Sequence, residues 1–146
     1  MGIRMVDVGG KRAVRRESTA RGVIELTPRT VRALREGRTK KGDVLTTAEL
    51  AGILAAKKTH ELIPLCHPIP LTNVQVRAKL RDTGMEVECT VSANYVTGVE
   101  MEALTGAAVS LLSVWDMVKY LEKDRRGQYP WTRIADLKVV SKKKGE

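Results

Sequence analysis

The stretch from residue 74 to residue 91, VQVRAKLRDTGMEVECTV, decides the fold class. Apolar residues alternate with polar ones over 74–80 and again over 85–91, which is the period of a strand with one buried face. Between the two runs, residues 82–84 (Asp-Thr-Gly) have the composition of a tight turn. The sequence therefore predicts a β-hairpin with one polar face.

Extended and helical segments flank this hairpin. Thr27 and Pro28 carry the N-cap and first-residue signals of a helix, and Asp43 carries the N-cap signal of a second one. Small residues on one side of that second helix, Ala48 and Gly52 among them, predict close packing against a neighbouring backbone. The predicted elements are a strand at 22–26, helices at 27–37, 43–58 and 98–127, and a last strand at 132–140. This order predicts an α+β fold of ferredoxin-like type, an antiparallel β-sheet with helices packed on one face.

The size and composition of the chain predict one soluble domain. Its 146 residues are 42% hydrophobic and 29% charged, and no apolar run approaches the ~20 residues needed to cross a bilayer. We expect a single domain over 1–146, with a folded core over about 5–140 and a solvated basic tail at 141–146. The first residues lack a secretory signal and the two cysteines form no paired motif, so a cytoplasmic location with reduced thiols is expected.

An excess of positive charge predicts an anionic ligand. The chain has 26 Lys and Arg against 17 Asp and Glu, a formal charge of +9, which attracts phosphates. Proteins that grip single-stranded nucleic acid stack bases on aromatic side chains. This chain has no Phe, and we expect its two Trp and three Tyr not to form a cluster. A small anionic substrate is therefore favoured over nucleic acid. No Walker lysine motif or GxGxxG is present, so a standard nucleotide cradle is not expected.

Asp116 and Lys119 lie three residues apart on the longest predicted helix and therefore share one face. One interpretation is an ordinary surface ion pair worth less than ~1 kcal/mol. The other is that Lys119, held by Asp116 in a cleft beside other cations, has a lowered pKa and transfers protons. Spacing alone leaves both interpretations open.

Two glutamates, Glu100 and Glu102, lie at the start of the same helix. Carboxylates there are stabilised by the helix dipole, so a capping role is sufficient for either. Residues two apart face different directions on a helix, so both can serve one site only if the segment around Gly98 is irregular.

A loop with three prolines at 62–70 is too stiff to be helix interior and suits a binding site. His60, Cys66 and His67 are potential zinc ligands, and Cys89 is a candidate fourth. Their spacing matches no familiar closed site, so no metal is predicted. His67 is better explained as a hydrogen-bonding partner of a substrate or as a structural histidine.

Three basic residues could contact phosphate groups. Arg16 precedes the first predicted strand, Lys41 precedes the second helix and Lys57 lies near the end of that helix. Together they could hold a polyphosphate if the fold gathers them. Lys57 equally suits the negative end of the helix dipole.

Several segments, taken in order, resemble the cyclic pyranopterin monophosphate synthase family of molybdenum cofactor biosynthesis. They are MVDV at 5–8, RRE at 15–17, KGDV at 41–44, LIPLCHP at 62–68, TGVEMEAL at 97–104 and WDMVK at 115–119 with KD at 123–124. Two positions depart from the family pattern. SKKKG at 141–145 stands where a Gly-rich KSGG-type segment is usual, and Gly9-Gly10 replaces a more common Ser.

The resemblance implies a cofactor-independent lyase with a ferredoxin-like fold. Its implied substrate is 3′,8-cyclo-7,8-dihydro-GTP, which is converted to cyclic pyranopterin monophosphate with release of pyrophosphate, and Mg²⁺ could accompany the triphosphate. Family members assemble as homohexamers, trimers of dimers, with the pocket at a subunit interface.

The same resemblance assigns roles to individual residues. By position, Asp116 is the catalytic aspartate and Lys119 its partner lysine. The implied substrate-binding residues are Leu65, Cys66, His67, Met101 and Glu102, with Glu100 beside them and Arg16, Lys41 and Lys57 as supporting contacts.

Two other classes of protein remain open on sequence alone. A basic module could bind nucleic acid or nucleotides without turnover, with an affinity that falls steeply with salt. A pathway scaffold could keep the fold and lose the chemistry. The presence together of Asp116, Lys119, Glu102 and His67 argues against the scaffold.

Overall fold

The structure is a computed structural model that describes residues 2–145, which contain four strands and four helices. The elements are β1 (Val14–Glu25), α1 (Pro28–Arg35), α2 (Val44–Lys57), α3 (Thr59–Leu62), β2 (Leu71–Arg81), β3 (Gly84–Tyr95), α4 (Glu100–Glu122) and β4 (Arg133–Lys144). The predicted order of elements is confirmed, and the short α3 is an addition. Met1 and Glu146, which belong to the predicted 1–146 domain, lie outside the described residues.

The four strands form one antiparallel sheet in the order β2-β3-β1-β4, with the helices packed on it. This is the ferredoxin-like α+β arrangement that the sequence predicts. In the hairpin, Val76 lies opposite Cys89 and Leu80 opposite Met85. Residues directly opposite each other share a face, so the apolar positions of 74–91 lie together on the side that the helices cover.

Gly84 is required in the hairpin turn because the central strand passes very close to it. A Cβ at this position would overlap the carbonyl oxygen of Ile24. The approach is fixed by the amide of Leu26, which donates to the carbonyl oxygen of Thr83 over 3.0 Å. Any side chain at Gly84 would therefore push β1 away from the hairpin.

Helices α2 and α4 pack antiparallel with small residues in contact. A Cβ at Gly52 would lie 3.0 Å from the backbone oxygen of Gly106, and the hydroxyl of Ser110 donates to the carbonyl oxygen of Ala48 over 2.8 Å. The predicted close packing against a neighbouring backbone is confirmed. Because the two helices run in opposite directions, the start of α2 lies beside the end of α4, and the end of α2 lies beside the start of α4.

The core is built from aliphatic side chains around α4, whose Leu111, Val114 and Val118 are fully buried. Among the described residues, α4 is the one helix long and apolar enough to cross a membrane, and half of its most apolar window is buried inside the domain. Its apolar character is what the central helix of a packed core requires.

A buried carboxylate fixes the last turn of α4. Glu122, only 4% exposed, accepts hydrogen bonds from the amide of Thr27 (3.1 Å) and from the hydroxyls of Thr27 (2.8 Å), Thr30 and Thr132 (2.6 Å). The glutamate thereby joins the end of α4 to the start of α1 and to the entry into β4. Nothing in the local sequence pattern predicted this junction.

Strand β4 corrects the expectation that the folded core ends at about residue 140, because residues 141–144 pair with β1 while their lysine side chains stay exposed. Lys142 lies opposite Ser18 in the ladder with β1, and the pairing continues to Lys144. The reason is that β1 begins at Val14, well before the predicted strand, and its backbone N–H and C=O groups on this edge require a partner. The basic residues 142–144 are therefore part of the sheet.

Candidate active site

An ion-paired cluster lies on the exposed side of α4, two turns before its end. The ammonium of Lys119 lies 2.9 Å from one carboxylate oxygen of Asp116, and that of Lys41 lies 3.0 Å from the other. Lys41 also donates to the backbone oxygen of Asp116 over 3.2 Å. The predicted pair is present, and the loop before α2 adds a second cation to it.

In this cluster each charged group stabilises the charged form of its neighbours. Hydrogen bonds from Lys119 and then Lys41 hold the pKa of Asp116 below its usual value, and the hydrogen bond to Asp116 raises the pKa of Lys119. This is the opposite of the lowered lysine pKa considered from the sequence. The physical reason is that the group nearest to the Lys119 ammonium is a carboxylate and that both side chains are exposed to solvent. In the isolated chain Lys119 is therefore an ammonium group that holds its proton tightly and attracts anions.

A second cluster lies at the other end of α4, around Glu102. This side chain is 3% exposed, and the thiol of Cys66 donates to its Oε2 over 3.5 Å. Its Oε1 is buried and has no hydrogen-bond partner among the described residues. Burial raises the pKa of Glu102, and burial together with the nearby carboxylate raises the pKa of Cys66 to about 11. An acceptor buried without a donor is where a ligand N–H or O–H group would bind.

Glu100 belongs to this second cluster. Its Oε1 is also buried without a partner in residues 2–145, and its Oε2 lies 3.5 Å from the ammonium of Lys142. The carboxylate folds back over Gly98, where a Cβ would overlap it. Val99, the residue before the helix, provides no side-chain cap. The segment around Gly98 is non-helical, and both glutamates lie in the first turn of α4.

The proline-rich loop brings His67 to the same end of α4. Its Nε2 lies 2.7 Å from the backbone oxygen of Val6, which can only accept, so this nitrogen carries a hydrogen. Leu65 in the same loop is 41% exposed, and Met101 in the first turn of α4 is 40% exposed. Apolar side chains exposed to this extent are available to a ligand or to a second chain.

Arg16 and Lys57 also lie near the start of α4. The guanidinium of Arg16, in a residue that is 7% exposed, donates to the backbone oxygens of Tyr95 (3.3 Å) and Val96 (3.2 Å). It thereby holds the segment that leads into α4. Lys57 is the last residue of α2 and is exposed, and the antiparallel alignment of α2 and α4 places it beside the first turn of α4.

The structure thus divides the predicted site residues into two groups. From Glu102 to Asp116 the distance along α4 is ~21 Å, at about 1.5 Å per residue. Within one chain, Arg16 and Lys57 lie near the Glu102 end and Lys41 lies at Asp116, so the three predicted phosphate contacts do not meet. The first group, which we call the carboxylate half, is Leu65, Cys66, His67, Glu100, Met101, Glu102, Arg16 and Lys57. The second, the cationic half, is Lys41, Asp116 and Lys119.

Sequence reasoning missed two features of these halves. The first is the ion pair between Lys142 of β4 and Glu100. The sequence did contain an indication of it, because no Gly or Pro separates the predicted last strand from Lys142, so the strand could have been extended to that residue. Trp115 and Tyr129 meet beside Asp116 with ring centroids 5.2 Å apart. This contact joins a helix to the loop after it, and no periodicity could have indicated it.

No group of three or more His, Cys, Asp or Glu side chains in residues 2–145 is placed to hold a metal ion. Of the four residues considered as zinc ligands, Cys89 is fully buried on β3, and Cys66 has its thiol on Glu102. The chemistry that the two halves offer is hydrogen bonding, proton donation and charge stabilisation.

The fold is a ferredoxin-like α+β domain, and charged clusters lie near the two ends of its longest helix. A family model described as the MoaC family matches residues 5–145, and the chain belongs to this family. Three similar proteins carry the name "Probable cyclic pyranopterin monophosphate synthase". That of Thermococcus kodakarensis is 57% identical over 99% of this chain and 93% of its own length. That of Pyrococcus abyssi is 57% identical over 97% and 89%, and that of Sulfolobus acidocaldarius is 53% identical over 94% and 96%.

Proposed function

We propose that this chain is a cyclic pyranopterin monophosphate synthase of molybdenum cofactor biosynthesis. The reaction would convert 3′,8-cyclo-7,8-dihydro-GTP to cyclic pyranopterin monophosphate and release pyrophosphate. The observation that carries the proposal is that a member of the MoaC family has Asp116, Lys119 and Lys41 joined in one cluster. We further propose a lyase without a resident cofactor, located in the cytoplasm and with no nucleic-acid partner. Any Mg²⁺ in the site accompanies the triphosphate as part of the substrate.

The cationic half suits the phosphate chemistry of this reaction. A sugar hydroxyl attacks the α-phosphorus and loses its proton to water. The bond from that phosphorus to the oxygen that bridges the α- and β-phosphates breaks, and pyrophosphate leaves with the electron pair. Two ammonium groups, those of Lys41 and Lys119, stabilise the charge that develops on the leaving group. The raised pKa of Lys119 makes its ammonium a lasting positive charge and a weaker acid. Lys119 therefore acts on the leaving group first as a charge, and it serves as an acid once the bound substrate has changed its surroundings. Asp116 holds both ammonium groups in position.

The carboxylate half suits the ring chemistry. A guanine-derived ring presents N–H groups, and the partnerless buried oxygens of Glu100 and Glu102 are acceptors for such donors. Opening the five-membered ring of the purine and rebuilding it as a pterin also requires protons to move. The raised pKa of Glu102 favours a carboxylic acid that can give a proton back during the reaction.

The two halves lie ~21 Å apart along α4, and we propose that one substrate contacts both because each half of a site comes from a different chain. A two-fold axis that crosses α4 near residues 108–109 would place the Glu102 end of one copy opposite the Asp116 end of the other. Exposed apolar side chains on α4, Met101 (40%) and Leu112 (55%), support such a contact. We therefore propose a homo-oligomer of two-fold dimers, assembled as a hexamer, with two sites per dimer.

The direct test of the reaction is pyrophosphate release from the cyclised GTP derivative by the purified protein. We expect Lys119→Ala and Asp116→Ala to lower kcat by at least about a hundredfold, the range of a lost acid or charge partner. Glu61→Ala, at an exposed position of α3, is the matched control and should keep wild-type turnover. Failure of the wild-type protein to release pyrophosphate would overturn the proposal in favour of a scaffold that has lost the chemistry.

The shared site has its own test, which uses two variants that we expect to be inactive alone. Lys119→Ala lacks the cationic half and His67→Ala lacks a residue of the carboxylate half. If the site is shared, mixing and reassembling the two at equal amounts should restore about one quarter of wild-type activity, because a mixed dimer contains one intact site. No recovery after verified subunit exchange would show that each chain builds its own site.

A further inference from the structure

Two of the few aromatic residues in this chain meet beside the cationic half. Their rings are 5.2 Å apart between centroids and inclined at 61°. Trp115 and Tyr129, with Leu112, line a cavity of about 350 Å³ whose remaining wall is Asp116 and Lys119. That volume is within the ~300–1,000 Å³ typical of small-molecule sites. The cavity therefore combines an apolar aromatic surface with an ion pair.

We propose that Trp115 and Tyr129 are substrate-binding residues that stack on the planar fused ring of the ligand, a purine-derived nucleotide or pterin. The inference rests on the proposed function and adds a ring contact to the cationic half. The same cavity contains Lys119, whose ammonium can pair with the phosphate of a nucleotide whose ring lies on these side chains. Stacking on aromatic side chains tolerates changes in the ring during the reaction, since every such ring has a π-face.

Tyr129 is held in place by a closed turn. The carboxylate of Asp124 accepts hydrogen bonds from the amides of Arg126 (2.8 Å) and Gln128 (2.9 Å), and the amide of Asp124 donates to the carbonyl oxygen of Gln128 over 2.9 Å. Gly127 has a φ of 75°, which glycine adopts without strain. The tyrosine ring therefore stands on a fixed loop, so a ligand that stacks on it loses little binding energy to ordering.

Tryptophan fluorescence tests the contact directly, because the chain has two tryptophans. In Trp131→Phe the remaining reporter is Trp115, and in Trp115→Phe it is Trp131, whose side chain lies outside this cavity. We expect GTP to quench the emission of the Trp131→Phe variant, and tripolyphosphate, which has no ring, to leave it unchanged. The Trp115→Phe variant should respond to neither. Equal responses to GTP and tripolyphosphate, or no response while equilibrium dialysis shows bound GTP, would overturn the inference.

Steady-state kinetics separate ring stacking from a merely structural aromatic pair. Tyr129→Ala should raise KM for the cyclised GTP derivative about tenfold, the range of one lost base–aromatic contact, with kcat changed less than KM. Tyr129→Phe keeps the ring and should stay within about twofold. Trp131→Ala is the control for the loss of an exposed aromatic residue. If Tyr129→Ala lowers Tm but leaves KM unchanged, the pair only holds the loop.

Failure of the inference is distinguishable from failure of the proposed function. If wild-type protein releases pyrophosphate and Tyr129→Ala has a normal KM, the function stands and the stacking surface is wrong. If wild-type protein releases no pyrophosphate but GTP alone quenches Trp115, the function is wrong and the ring site stands.

Discussion

Replacement of Glu122 by alanine tests whether a single buried carboxylate fixes the end of α4. The side chain is 4% exposed, and four donors from three threonines converge on its two oxygens. In Glu122→Ala the three hydroxyls can rotate toward other partners, but the amide of Thr27 cannot. The substitution therefore removes charge-assisted hydrogen bonds and leaves buried donors behind.

The magnitude follows from these contacts. A hydrogen bond to a charged group contributes about 1.5–3 kcal/mol net, and the four contacts to Glu122 share one acceptor group, so their values do not add. We expect Glu122→Ala to lower the free energy of unfolding by about 3–5 kcal/mol, the cost of breaking a buried charged network. For a domain of this size that is a fall in Tm of roughly 6–20 °C.

Urea unfolding at fixed protein concentration measures the effect, because assembly would otherwise change the apparent stability. Glu122→Gln keeps one acceptor oxygen and should cost about half as much, since neutral hydrogen bonds are roughly half as strong as charged ones. Glu61→Ala, at an exposed glutamate, should be within ~0.5 kcal/mol of wild type. A Glu122→Ala variant within ~1 kcal/mol of wild type at an unchanged m-value would refute the reasoning.

Two further predictions concern protonation. Burial and Glu102 raise the pKa of the Cys66 thiol to about 11. The rate of its alkylation by iodoacetamide should therefore be low at pH 8 and rise about tenfold per pH unit as the pH approaches 11. A rate at pH 8 like that of free cysteine would contradict this prediction. The thiol proton is bound more tightly in the folded state, so its contribution to stability is present below the unfolded pKa and is lost as the pH rises toward 11. The hydrogen bond to Asp116 is the main cause of the raised pKa of Lys119, so Asp116→Asn should lower that pKa. NMR titration of the lysine Cε signals measures the change. An unchanged titration would show that Asp116 does not control the pKa of Lys119.

The fold was predictable where each segment carries its own signal. The alternation through 74–91, the N-caps Thr27 and Asp43 and the long stripe of α4 are local patterns, and the structure has all of them. The first half of β1 was not predictable in this way. Charged residues there alternate with small ones such as Ser18 and Ala20, so the period-two pattern has little hydrophobic contrast. The end of β4 pairs with this part of β1, so it was missed for the same reason.

Within the candidate site, the ion pair was predictable from the sequence and its surroundings were not. The spacing of Asp116 and Lys119 on one helix face is local, and it correctly indicated an ion pair. The direction of the Lys119 pKa depends on which charge is nearest and on exposure to water, and neither can be read from spacing. Lys41 reaches Asp116 across 75 positions of sequence, a contact that follows only from the antiparallel packing of α2 on α4.

The distribution of charge along α4 explains why a helix can carry both halves of the site. Glu100 and Glu102 lie at its positive end and Lys119 lies in its last turns, so each charge is favourable for the helix dipole. If two copies of α4 packed in parallel, carboxylates would face carboxylates and ammonium groups would face ammonium groups. Antiparallel packing about a two-fold axis instead brings the acidic end of one helix to the basic end of the other. The charge pattern that stabilises the single helix therefore also selects the orientation in which the proposed shared site is complete.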